Sequence, residues 1–117
     1  MFGHDLIKTP RGWCLTLSGD LDTHATQELD AAMEARLPQV NGDLVVDLEG
    51  LNYLNSTGIR SFIRLHKQLK ASGHRICFRG ASAKILRIFH YCGLDTFFVF
   101  EPGADADASL PLAAREG

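Results

Sequence analysis

A chain of 117 residues, 45% hydrophobic and 22% charged, has room for one domain around a single core and not for two. Twelve Lys and Arg against fourteen Asp and Glu give a formal net charge of −2, and no nucleic-acid-binding motif is present, which argues against such a partner. No apolar run nears the ~20 residues that span a bilayer, and "MFGHDLIKTP" lacks the basic-then-apolar order of a secretion signal, so the expected location is the cytoplasm, away from membranes.

"DLIKTPRGWCLTLSG" predicts two short strands, Asp5 to Thr9 and Trp13 to Ser18, around a turn at Pro10-Arg11-Gly12. Leu15 and Leu17 alternate with Thr16 and Ser18, as in a strand covered on one face. The period then changes. Ala25, Leu29, Ala32, Met33 and Leu37 recur at helical spacing, with Asp22 or Thr23 as the cap. Asn41-Gly42 marks a turn before "DLVVDL", a short buried strand.

"STGIRSFIRLHKQLKASG" carries the clearest helical pattern. Ile59, Phe62, Ile63 and Leu69 make an apolar stripe with His66 on the same side. Arg60, Arg64 and Lys67 make a basic one, and Gly73 is placed to stop the helix. "RICF" follows as a strand, then "SAKILRIFHYCG" as a helix capped by Ser82, and "TFFVF" as a last strand. Trp13, Phe97 and Phe98 are expected in core or edge packing. "EPGADADASLPLAAREG" reads as a loose tail with room for one short helix. Helices between strands imply a mixed sheet with helices packed on it, and functional loops at the carboxyl ends of parallel strands: "GDLDTH" and "LNSTG".

Cys14, Cys77 and Cys92 are odd in number, lie among apolar residues and form no C-x-x-C pair. They are expected to be small buried hydrophobes in a reducing compartment. No two histidines have metal-binding spacing, and no phosphate-cradling glycine motif occurs, so neither a metal nor a nucleotide cofactor is expected. Charge is segregated: Gly50 to Leu94 contains no Asp or Glu but eight Lys and Arg.

Three stretches together resemble the STAS domain family, and within it the free-standing bacterial anti-sigma factor antagonists. They are Gly19-Asp20-Leu21-Asp22, Asn55-Ser56-Thr57-Gly58 and "ILRIFHYCGL", and the likeness runs from about Leu6 to Phe100. It implies an α/β fold with a mixed sheet of four to five strands, a domain over 1–103 and a tail or short helix over 104–117. It also implies a binding protein with no catalytic residue. In that family the first serine of the motif, here Ser56, is phosphorylated by an anti-sigma factor that is itself a serine/threonine kinase. The bare antagonist binds the kinase, the phosphorylated one releases it, and a PPM-type serine phosphatase resets the cycle. Thr57 is expected to help cap the helix. Asp22, Asn55, Ser56, Thr57, Gly58 and Ile59, with the basic pair Arg60 and Arg64, make the expected partner-binding surface. Asn55 stands where the family usually has Asp, which keeps a capping side chain but removes a charge beside the phosphate. The alternative is a STAS binding subunit of a transporter or sensory complex in which Ser56 is never modified.

Overall fold

Pro10 and Arg11 turn the chain between β1 (Phe2–Thr9) and β2 (Gly12–Leu21), which pair antiparallel from Phe2 opposite Gly19 to Thr9 opposite Gly12. The computed structural model describes residues 1–102; the predicted tail of 104–117 lies outside them. After β2 come α1 (Thr23–Arg36), a 3₁₀ turn (Leu37–Gln39), β3 (Asp43–Leu54) and α2 (Ser56–Ala71). β4 (Ile76–Arg79), α3 (Ala83–Tyr91) and β5 (Val99–Glu101) complete the order. The sheet runs β1-β2-β3-β4-β5, with β2 to β5 mutually parallel.

Each parallel neighbour is reached through one helix, and right-handed crossovers that always advance in one direction lay every helix on the same face. The register agrees. Leu6, Leu15, Val46 and Phe78 align across four strands and are all buried under the helices. Leu29 and Met33 of α1, Phe62, Leu65 and Leu69 of α2, and Ile85 and Phe89 of α3 close the core over them. Phe78 is its aromatic centre, with ring centroids of Phe62, Phe89 and Phe98 at 5.0, 5.5 and 4.8 Å. The opposite face carries Ile7, Cys14, Val45, Cys77 and Val99 in one row and the Arg79–Asp47 ion pair, 3.0 Å apart, in the next.

Several predicted boundaries move. β2 runs on through Gly19, Asp20 and Leu21, so half of the "GDLDTH" loop is strand; register shifts after Thr16 and Gly19 let it follow β3. β3 extends six residues past "DLVVDL", because Leu51 and Leu54 still point into the core. β5 begins at Val99 rather than Thr96: the amides of Phe97 and Phe98 both donate to Leu94 O, 3.1 Å away in each case, and hold that stretch in a turn. On α2, Leu65 joins the buried stripe and Ile63 is only half-buried. Phe98 is buried and Phe97 is half exposed.

The expectation of three buried cysteines holds for Cys14 alone. Cys77 is half-buried and Cys92 is exposed, since it follows the last turn of α3. Burial first, then the charge and hydrogen bond of Glu101, push the Cys77 thiol up to about 12, against a lowering by Arg79.

Candidate functional site

β2 and β3 are parallel and end together, Leu21 beside Leu54, so the chain leaves the sheet twice at one corner. The next residue in each case caps a helix. Asp22 Oδ1 accepts the Ala25 amide of α1 at 2.8 Å, and Asn55 Oδ1 accepts the Gly58 amide of α2 at 3.3 Å. The cap of α2 is therefore Asn55. Thr57 helps it, as expected, its hydroxyl donating to Asn55 Oδ1 at 2.6 Å and lying 3.3 Å from Thr26 Oγ1. Thr26 in turn donates to Asp22 O at 2.8 Å, and Asn55 Nδ2 donates to Thr23 Oγ1 at 3.2 Å. One small polar network ties the two helix starts together.

The Asn at position 55 acquires a reason here. Its carboxamide has a donor and an acceptor and uses both, whereas an ionised Asp has no proton to give Thr23. Asn55→Ala removes the cap and the cross-link at once and is expected to cost about 1–2 kcal/mol, read as a lower denaturation midpoint with an unchanged slope.

Ser56 is the first residue of α2, and its side chain is exposed. The first-turn amides of an α-helix have no partner within it, and the aligned peptide dipoles leave the end positive. No acid occupies the first turn of α2. Gly58 and Ile59 sit beneath this surface, both buried. A Cβ on Gly58 would come within 2.5 Å of Leu54 Cδ1 and 2.9 Å of Leu21 Cδ2, so any larger residue would have to push these buried side chains aside for the helix to start this low on the strand ends.

The predicted basic pair divides. Arg60, one turn on from Ser56, is exposed and has no ion pair or hydrogen bond among the described residues. Arg64 lies 3.5 Å from Asp30 Oδ2 of α1, and Asp30 also accepts the hydroxyl of buried Ser61, so Arg64 is engaged in holding α1 against α2. Asp22 and Thr57 come to the same corner as Ser56, and both are bound into the network. Tyr53, opposite Asp20 in the register and 42% exposed, joins the surface unannounced by the sequence. Only the extension of β3 puts its ring on the rim. His24 is exposed beside this corner. Among the described residues no group of His, Cys, Asp or Glu is arranged to hold a metal ion, and no helix is long and apolar enough to cross a membrane.

A family model described as "Mlab, STAS domain" matches residues 6–101. The anti-sigma-B factor antagonist of Staphylococcus aureus is 26% identical over 91 residues, which cover 78% of this chain and 84% of that relative. The structure of the anti-sigma factor antagonist SpoIIAA in its unphosphorylated form matches with a TM-score of 0.75 at 21% identity, over 91% of this chain and 92% of that one. The Bacillus cell fate determinant SpoIIAA in its phosphorylated form matches with a TM-score of 0.69 at 21% identity, over 91% and 96%. At such identity the two structures speak for a shared fold.

Proposed function

The chain belongs to the STAS domain family, and from that membership we propose that it is an anti-sigma factor antagonist working by partner switching. With Ser56 bare, the corner formed by the starts of α1 and α2 binds a serine-kinase anti-sigma factor; phosphorylation of Ser56 releases it, and a PPM-type phosphatase restores the bare form. The protein is a binding regulator and catalyses nothing in this cycle.

One observation carries the proposal: the Ser56 hydroxyl stands exposed at the first position of a capped helix, where a kinase can reach it and a partner can cover it. Its family offers precedent, since the Staphylococcus aureus relative bears the name anti-sigma-B factor antagonist and SpoIIAA exists in a phosphorylated form. Arg60 is the cation free to meet an acidic patch on the partner, and Arg64 contributes less because Asp30 already holds it. Arg60→Glu is therefore expected to weaken the unphosphorylated complex on the order of tenfold, mostly through a slower and less salt-sensitive association measured by stopped flow.

Intact mass spectrometry after incubation with ATP and the kinase decides the switch. The expected result is one added phosphate, absent in Ser56→Ala. The hydrogen bond from Asn55 to Thr23 favours a second reading, in which a corner already locked by Asn serves as a constitutive docking surface of a transporter or sensory complex. That reading gains if the partner is retained in pull-downs while no phosphate is ever taken up.

A further inference from the structure

At the far end of α2, the side chains of the last two turns face the start of β4 and the turn before β5 across a cleft of about 500 Å³. That volume lies within the range of about 300–1,000 Å³ typical of small-molecule sites. The 16 residues of α2 put it roughly 24 Å from Ser56, so it is separate from the corner described above.

Two kinds of surface meet in this cleft. Lys70 and Arg75 reach it from the end of α2 and the entry to β4, with His66 and His74 beside them. Neither Lys70 nor Arg75 has an ion-pair partner among the described residues. Opposite them, Phe97 lines the wall and remains 50% exposed, although the core has aromatic company within reach. Phe97 is held edge-on by His66, with centroids 5.0 Å apart at 75°, and by Phe98 at 4.9 Å. Its open face is thus presented by a fixed ring rather than by a loose one.

The electrostatics admit an anion. Asp43 is the acid at this end: its Oδ1 accepts the Arg75 amide at 2.9 Å and lies 4.0 Å from His74 Nδ1. One carboxylate faces two permanent cations. The negative end of α2 is blunted, because Leu69 O accepts the amides of Ser72 and His74, and Lys70 O accepts that of Gly73.

We propose that this cleft binds a small organic anion, its acidic group held by Lys70 and Arg75 and its aromatic body laid against Phe97. The two halves of the ligand answer the two halves of the wall. Cations without an apolar floor would take inorganic phosphate equally well, and an apolar floor alone would take any hydrophobe.

Two dyes differing in one group test this on the intact protein by fluorescence titration: anilinonaphthalene sulfonate and phenylnaphthylamine, the same ring system without the sulfonate. The sulfonate is expected to bind at least tenfold more tightly than the neutral dye. The double substitution Lys70→Gln with Arg75→Gln should remove that preference, and Phe97→Ala should weaken both dyes about fivefold. Inorganic phosphate, lacking the ring, should displace the sulfonate dye only at far higher concentration. Amide shifts on dye binding should centre on Gly73, His74 and Val99. Equal binding of the two dyes by the wild-type protein overturns the proposal, as do shifts centred elsewhere or a charge-deleted variant that keeps its preference. The wild-type dye comparison needs no variant to fold, and neither result bears on whether Ser56 is phosphorylated.

Discussion

Phosphorylated on Ser56, the protein is expected to bind its kinase partner several hundred-fold more weakly than in the bare form, while its own stability barely moves. The asymmetry comes from one location seen from two sides. Toward the fold, a phosphate at the start of α2 meets unpaired amides and the positive end of the dipole, an interaction worth about 0.3–1 kcal/mol in its favour. Arg60, one turn along, is free to add a charge-assisted contact. Toward a partner packed over the same corner, the group brings about −1.5 to −2 charges that must be stripped of water. A penalty of about 3–4 kcal/mol produces the several hundred-fold loss, since about 1.4 kcal/mol is tenfold. Ser56→Asp carries a smaller charge and should lose affinity in the same direction by a smaller factor, and Ser56→Ala should bind constitutively. Calorimetric titration of the four forms against the kinase checks this. Equal affinity for bare and phosphorylated protein would sink the switch.

The largest expected effect on stability is that of Phe78→Ala, a loss of about 3–5 kcal/mol. Phe78 is fully buried and packs against Phe62 of α2, Phe89 of α3 and Phe98, so its removal leaves a hole shared by two helices and the sheet. Rings held from several sides cannot collapse into that hole without abandoning other contacts. Val99→Ala, on the opposite face and largely exposed, should cost well under 1 kcal/mol. Urea denaturation followed by circular dichroism compares the two. A Phe78→Ala midpoint close to that of Val99→Ala would mean that the aromatic cluster does not anchor α2 and α3.

What the sequence discloses about this fold depends on whether a residue's role is local. The cap at Ser82 and the stop at Gly73 are local and found where their patterns predict, and the stripe of α2 is found with Leu65 in place of Ile63. Ser56 is also legible, because a hydroxyl beside a capping residue and before an amphipathic run announces a helix start. The lengths of β2 and β3 are not local. Gly19-Asp20 reads as loop and "DLVVDL" as the whole of a short strand, and the longer pairing exists only because each strand lies along the other. Arg64 is unreadable for the same reason: its partner Asp30 is 34 positions away, on a helix whose placement only the sheet order fixes. That Thr57 helps the cap through Asn55 Oδ1, rather than by facing the Gly58 amide itself, is geometry that spacing alone cannot tell.

The sheet's order, each strand paired with its neighbour in the chain, has a bearing on how the molecule is made. No strand has to be threaded between two that are already in place, so assembly can follow synthesis from the first hairpin onward, each new strand joining the edge of the one made just before it. A nascent chain halted after α2 would already hold its first three strands and the helix that begins at Ser56, with the last two strands and α3 still to seal it.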